Sequence, residues 1–401
     1  MKQGYLSQYF KGVAVKRLSA VEAHPEVSHQ HEFNGVGKLT EVLGPAIPRQ
    51  RFEATFFYLN DDDPEPIQAE GFVTWYDARE NHPTRSENRL YFPSTTVSDN
   101  ANEGDLLLIA RKPDDSLIVI VAEVGSTIEN QLLWLMGKSD LTHPGFSVKG
   151  EIENDQVKLD FISRLILEQV GIEATETDEN YLEQMLKAFD GAFPDTATLS
   201  QFVRDSVKLN PLDDPDAVLV AWYEKEFILF RTLEEHFLGS KIKDGFPSVK
   251  EFLDLSLSVQ NRRKSRAGSA LQNHLTPIFS AYGLKFETQA VTENKQKPDF
   301  LFPGEKEYHD LTFATDKLLM LGAKTSCKDR WRQVLAEAAR ISEKHLCTLE
   351  AGISENQTNQ MIAHGLQLVV PKQYHPTFNA KQQEWLFSLK EFIELARSKQ
   401  P

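Results

Sequence analysis

Two polar residues stand where chemistry can be done. The segment Lys297-Pro-Asp-Phe-Leu-Phe-Pro303 places one carboxylate, Asp299, at the start of a short apolar run. Further on, Lys324 closes a second run, within Leu318–Ser326 (LLMLGAKTS). If these runs are neighbouring strands, both side chains reach one edge of a sheet. A carboxylate there can hold Mg²⁺, which polarises a phosphodiester and acidifies an attacking water. An ammonium beside it orients that water and neutralises charge on a pentavalent phosphate. Such sites usually carry a second acid two residues before the lysine, and here that residue is Gly322. The stretch Lys328-Asp-Arg-Trp-Arg-Gln-Val-Leu-Ala-Glu337 offers a substitute. On a helix, Gln333 and Glu337 lie one turn apart on one face, and Glu337 can swing into the vacated position. Asp299 and Glu337 are therefore candidate metal ligands, and Lys324 completes the candidate catalytic set.

These residues need a scaffold. The chain has 401 residues, 40% hydrophobic and 26% charged, enough for two or three domains with full cores. Two cysteines, Cys327 and Cys347, exclude a disulfide framework and a multi-cysteine zinc site. There is no apolar run long enough to span a bilayer, so no membrane partner is expected. The start, MKQGYLSQYF, lacks a signal-peptide core, and a cytoplasmic location is expected.

Residues 1–145 read as an all-β domain. Short β-branched or aromatic runs at Arg51–Leu59, Gly71–Tyr76, Arg89–Phe92, Asp105–Ala110 and Ser116–Val124 alternate with turn-rich stretches. A barrel or sandwich fits that spacing. Ser126-Thr-Ile-Glu129 then has capping-box spacing and opens a helix through Met136. Residues 146–189 are expected to be an acidic helical linker, with helices at Asp160–Gln169 and Asn180–Ala188. From 190 to 401 helices and strands alternate, which implies a mixed sheet flanked by helices. The expected helices cover Thr198–Leu209, Asp216–Glu235, Ser248–Val259, Arg266–Tyr282, Lys328–Lys344, Ser354–His364 and a last one to Ser398. The expected strands cover Leu284–Gln289, Asp299–Phe302, Leu318–Lys324, His345–Leu349 and Gln367–Val370.

The net charge of −15 argues against a chain-wide nucleic-acid coat, so the distribution matters more than the sum. Arg262, Arg263, Lys264, Arg266, Lys285, Lys295 and Lys297 oppose two acids over residues 262–297. Residues 324–344 add six basic residues against three acidic ones. An anionic partner on this face is plausible, since phosphate contacts supply most non-specific DNA affinity.

Four blocks have a further character together. They are Ser258-Val-Gln-Asn-Arg-Arg-Lys-Ser-Arg-Ala-Gly268, Lys297–Pro303, Tyr308-His-Asp310, and Ala323-Lys-Thr-Ser-Cys-Lys-Asp-Arg-Trp-Arg-Gln333. With Gly365-Leu-Gln-Leu-Val-Val-Pro371, they resemble the catalytic domain of the EcoRII-type type II restriction endonucleases, over roughly residues 190–375. The resemblance implies a restriction-endonuclease-like PD-(D/E)xK fold and Mg²⁺-dependent cleavage of double-stranded DNA at a short CC…GG site with 5′ overhangs. It implies metal acids at Asp299 and Glu337 and a catalytic lysine at Lys324. The pair that reads the CC:GG steps falls on Asp329 and Arg330, types suited to cytosine N4 and to guanine O6 and N7. Lys328, Arg332, Arg262, Arg263 and Arg266 are candidates for phosphate contact or dimer packing, and Tyr308 for DNA contact. A nearly symmetric site implies a homodimer, and a restriction system implies a companion DNA methyltransferase.

The chain also departs from that pattern. Where the family has a glutamate after its RKSRAG motif, this chain reads Ala270-Leu-Gln-Asn273, and Gln272 cannot serve as an acid. Pro277 is expected to kink that helix. The family flips a central base between an arginine and an aromatic, but Ala221-Trp-Tyr-Glu-Lys-Glu-Phe227 holds no arginine. In the first domain, Val15-Lys-Arg-Leu-Ser-Ala20, His29-Gln30 and Thr84-Arg-Ser-Glu-Asn-Arg89 resemble the arms of a B3-like DNA-binding pseudobarrel. That implies DNA contacts at Arg17, His29, Arg85 and Arg89, an effector role of the type IIE kind, and a domain that blocks the catalytic cleft until DNA binds.

The sequence therefore reads as a homodimeric type II restriction endonuclease. Two alternatives stay open at this point. One is a nuclease whose first domain reads a modified base or backbone. The other is a DNA-binding protein that does not cut.

Overall fold

The computed structural model describes residues 9–25, 31–34, 36–63, 66–137, 141, 145–149, 161–169, 172, 177–327 and 330–400. The chain divides into two compact units, Met1–Ala174 with Gly352–Gln357, and Thr175–Ala351 with Thr358–Pro401. No helix among the described residues is long and apolar enough to cross a membrane.

The first unit is built on one eight-stranded sheet. Its strands are β1 (Gly12–Arg17), β2 (Glu32–Phe33), β3 (Gln50–Leu59), β4 (Ile67–Asp77), β5 (Asn88–Tyr91), β6 (Leu106–Arg111), β7 (Leu117–Ala122) and β8 (Ser147–Lys149). They lie in the order β2-β5-β4-β3-β7-β6-β1-β8. β3 runs parallel to β7 and antiparallel to β4. After β3, Asn60 Oδ1 accepts from the amides of Asp62 and Asp63 at 3.1 and 2.7 Å, a side-chain-built turn.

The runs LLLIA and LIVIVA are apolar without alternation because both faces are covered. Leu107, Ile109, Val119 and Val121 enter the main core with Trp75 and Phe56. Leu108, Ala110, Ile118 and Ile120 face Leu132 and Leu135 of helix α1 (Thr127–Leu135) and Leu167 of α2 (Phe161–Gln169). Ser126 caps α1 by accepting from Glu129 N at 3.2 Å. The Glu129 carboxylate does not close the expected box. It takes the Gly125 amide and the Arg17 guanidinium instead, each at 2.5 Å. β1 and β8 are strands that patterning missed. Because β8 pairs with β1, the sheet continues past residue 145, and α2 packs on α1 within this unit. Part of the stretch expected to be a linker is therefore built into the first unit.

The second unit carries a five-stranded mixed sheet in the order β13-β12-β11-β10-β9. These are β9 (Glu287–Thr288), β10 (Phe300–Phe302), β11 (Leu319–Ala323), β12 (Lys344–Cys347) and β13 (Leu366–Val369). β11, β12 and β13 are parallel, and β10 is antiparallel to both of its neighbours. Helices α3 (Thr196–Val207), α4 (Pro215–Asp244) and α5 (Val249–Ala281) pack together ahead of the sheet. Two helices were expected in the region of α5, but the Asn261–Arg266 stretch holds no breaker and the helix runs through it. It also runs through Pro277. The proline has no N–H for the Asn273 carbonyl, and Arg204 Nη1 of α3 donates to that oxygen at 3.0 Å. Phe279 of α5 stacks edge-on against Phe300 and Phe302 at 5.1 and 5.5 Å, which fixes β10 against the helix.

The helix expected over Lys328–Lys344 is a correction. Among the described residues of that stretch, the α-helix is limited to Trp331–Leu335 (α6), and Ala338 takes a left-handed conformation with φ +48°. The amides of Ala338, Ala339 and Arg340 bond to Thr292 Oγ1, Glu293 Oε2 and Tyr308 Oη at 3.4, 3.2 and 3.1 Å. Side chains from distant segments have replaced the carbonyls that would have continued a helix.

Replacing Arg204 with methionine leaves the Asn273 carbonyl without its donor. We expect a loss of about 1 kcal/mol, read as a lower urea midpoint at unchanged m-value.

Candidate active site

The antiparallel register of β10 and β11 pairs Phe300 with Leu321. It brings Asp299, just before β10, beside the end of β11. Asp299 Oδ2 accepts from Ala323 N at 2.7 Å and from Lys324 Nζ at 2.8 Å. Both side chains are largely shielded, 13% and 15% exposed. The Lys324 amide continues the parallel ladder by donating to Cys347 O at 3.0 Å. Asp299 Oδ1 accepts from the side-chain amide of Gln289 at 3.1 Å, and that amide also meets Gln272 Oε1 at 3.4 Å. Sequence reasoning identified Gln272 as a non-acid but missed Gln289. Nothing in its type or spacing marks it, and its side chain reaches Asp299 from a left-handed backbone, φ +53°.

Gly322 explains the displaced acid. A Cβ built there would lie 3.0 and 3.2 Å from the two methyls of Val334 and 3.4 Å from Leu346. The packing of α6 on β11 occupies the volume a carboxylate would need. Glu337 stands in the turn after α6, so the expected one-turn spacing from Gln333 on a helix face is not what positions it. Glu337 is 8% exposed, and its Oε2 has no hydrogen-bond partner. Burial pushes its carboxyl from 4.5 to about 7; Lys324 opposes this and Asp299 adds to it. A shielded carboxylate oxygen without a partner, electrostatically coupled to Asp299, fits the oxygen-donor chemistry of a hard divalent cation.

The surrounding cations are not equivalent. Arg330 is exposed at the start of α6. Arg332 lies over the Trp331 ring at 4.7 Å and donates to Gln360 Oε1 at 2.9 Å. Arg262 lies over the Phe193 ring at 4.2 Å, and Arg263 bonds Glu234 at 2.6–3.0 Å. Two expectations are revised. Arg266 is 6% exposed with its guanidinium 5.2–5.6 Å from the Tyr223, Phe227 and Phe230 rings, and Tyr308 is 1% exposed with its hydroxyl on Glu293. Both face the interior rather than a solvent-borne phosphate. Lys328 and Asp329 lie outside the described residues, as does His29 of the first unit.

In the expected base-holding stretch, Trp222 and Glu226 are buried in α4, and Glu226 meets His274 Nε2 at 3.0 Å. In the first unit, Arg17 is held by Glu129 and by the Gly104 carbonyl. Arg85 is exposed. Arg89 is shared between Glu32 at 3.0 Å and Glu87 at 2.7 Å.

The model of the family described as EcoRII C terminal matches residues 230–393, which include Gln272, Gln289, Asp299, Lys324 and Glu337. The type II restriction enzyme EcoRII of Escherichia coli is 32% identical over 391 residues, covering 95% of this chain and 93% of that protein. This chain belongs to the EcoRII family of type II restriction enzymes. The type II restriction enzyme SsoII of Shigella sonnei is 29% identical over 157 residues, 34% of this chain and 50% of that one. Among solved structures, metal-depleted Ecl18kI in complex with uncleaved DNA aligns at 20% identity with a TM-score of 0.44, covering 55% of this chain and 83% of that one. As a member of the EcoRII family, the chain is a type II restriction endonuclease, a site-specific deoxyribonuclease.

Two measurements follow for this EcoRII-family site. Restoring the usual acid with Gly322→Asp forces it against Val334, so we expect a loss of about 2–3 kcal/mol and a lower melting temperature. The Glu337 carboxyl gives a pH signature in EDTA. Between pH 4.5 and about 7 the folded state binds the extra proton, so stability falls as pH rises through that window. Glu337→Gln should therefore be more stable than wild type above pH 7, by up to roughly 3 kcal/mol, and gain nothing below pH 4.5.

Proposed function

We propose that this restriction endonuclease hydrolyses double-stranded DNA at a short CC…GG site, as a Mg²⁺-dependent homodimer. The observation that carries the reading is the convergence of Asp299, Lys324 and the buried Glu337, whose Oε2 has no hydrogen-bond partner, at one end of the β10–β11 pair. Asp299 and Glu337 are the residues that would hold the cation. When bound, the cation supplies Lewis-acid polarisation of the scissile phosphate.

The protein's own groups do the rest. Lys324 is fixed by Asp299 at 2.8 Å, so its ammonium is oriented before DNA arrives. From there it can position an attacking water and neutralise charge that develops on the phosphate. Arg330, with Asp329, would read the CC:GG steps, and Arg332, Lys328, Arg262 and Arg263 would meet phosphates or the partner protomer. Arg266 and Tyr308 support the fold rather than DNA contact.

The first unit, continued past residue 145 by β8 and α2, is proposed to be a B3-like pseudobarrel, and the second unit the catalytic domain. The first unit would bind a second DNA copy through Arg17, His29, Arg85 and Arg89. In the exposed pair Arg89–Glu87, binding would require exchange of a carboxylate for a phosphate. A companion methyltransferase would protect the host's own sites.

The test is digestion of unmethylated phage DNA with Mg²⁺, beside Lys324→Ala, with sequencing of the cut ends. We expect discrete fragments from wild type, ends at a CC…GG motif, and a loss of at least roughly 10³-fold in rate for the variant. Fragments ending elsewhere would sink the specificity, and equal cutting by the variant would sink the site.

A further inference from the structure

The turn that carries Glu337 is held from both sides by side chains. On one side its amides bond to Thr292, Glu293 and Tyr308, as described above. On the other side is Lys344, the first residue of β12. Its ammonium donates to Ala338 O at 3.0 Å and to Ile341 O at 2.7 Å. Lys344 is 6% exposed, so this cation has been brought into the interior. A buried lysine is seldom tolerated without compensation. Here the compensation is two backbone carbonyls and the nearby charges of Glu337 and Glu293.

A turn of this kind is not self-supporting. Ala338 sits at φ +48°, a conformation that an L-residue adopts reluctantly, and it is completely buried. The residue before it is Glu337. If the carbonyls of Ala338 and Ile341 were released, the turn could relax toward the helix that its sequence favours. Glu337 would then leave the position in which its carboxyl feels the charges of Lys324 and Asp299.

We propose that Lys344 is a positioning residue for Glu337: by gripping the carbonyls of Ala338 and Ile341 it locks the left-handed turn that aims this carboxylate at the cation site. The inference rests on the reading of Asp299 and Glu337 as ligands. Lys344 acts through the turn, whose carbonyls its ammonium holds. Lysine suits the task because its three donors can serve two carbonyls at once from a strand end. Arginine keeps donors, and methionine keeps the volume while losing them.

The experiment is a double-mutant cycle on the full chain. Mn²⁺ alone is titrated by calorimetry into wild type, Glu337→Gln, Lys344→Met and the double variant, with Lys344→Arg and Thr292→Val alongside. Metal-free DNA affinity and the melting temperature are measured in EDTA. We expect Lys344→Met to weaken Mn²⁺ binding about tenfold, within the usual range for residues that orient a ligand. On the Glu337→Gln background it should weaken binding no further, since both changes remove the same oxygen. Lys344→Arg should recover part of the loss, and metal-free DNA affinity should stay near wild type.

A merely structural lysine would lower stability and DNA affinity together and would add to Glu337→Gln, which overturns the proposal. Wild-type Mn²⁺ affinity in Lys344→Met overturns it as well. Should Lys344→Met not fold, Thr292→Val loosens the same turn from the other side, and undiminished Mn²⁺ binding there counts against the idea. If wild type binds no Mn²⁺ at all, the ligand assignment itself fails, and this inference falls with it.

Discussion

The register between β10 and β11 is the constraint on which the site depends. Pairing Phe300 with Leu321 brings the Asp299 carboxylate to the Ala323 amide and the Lys324 ammonium at the other strand's end. A slip of one residue would turn the side chains of β10 to the opposite face. The register is specified by burial: Phe300 and Phe302 share a face and lock onto Phe279, while Leu319 and Leu321 are buried beside them. The Asp299–Lys324 ion pair then ties the strand ends together. The polar contact depends on apolar packing formed deeper in the sheet.

Much of this was legible in the sequence because a charge beside an apolar strand is conspicuous. Asp299 and Lys324 read correctly as neighbours at the ends of paired strands, and those two strands lie within a residue of where patterning put them. The blocks around Lys324 also identified the family. What could not be read has a common cause. The turn at Ala338 contains residues that favour helix, and its conformation is imposed by Thr292, Glu293 and Tyr308 from far along the chain. Tertiary bonds overrode local propensity there. Gln289 was invisible for the same reason, since its role comes from a contact and not from a pattern.

Arginines were the other source of error. In sequence, Asn261–Arg266 looks like a uniform basic run. In the fold, Arg263 is paired with Glu234 and Arg266 is enclosed by aromatic rings, so the run divides by helical face. A helix of 3.6 residues per turn sends adjacent basic residues in different directions. Local charge therefore overstated the surface available to phosphate. Arg17 and Arg89 also have carboxylate partners, which a phosphate would have to displace.

The close approach of Val334 to Gly322 bears on how such a site can change over time. An acid at position 322 would crowd a valine at 334, whose methyls would have to give by a few tenths of an ångström. Moving the carboxylate back from the turn to the strand would take two substitutions. Adding the acid first overfills the interior, and trimming Val334 first leaves a void under α6. Each single step is unfavourable alone, so the two positions are epistatic and the present arrangement is hard to leave. A search that requires an acid two residues before the catalytic lysine would not find Lys324, nor the lysines of other chains locked in the same way.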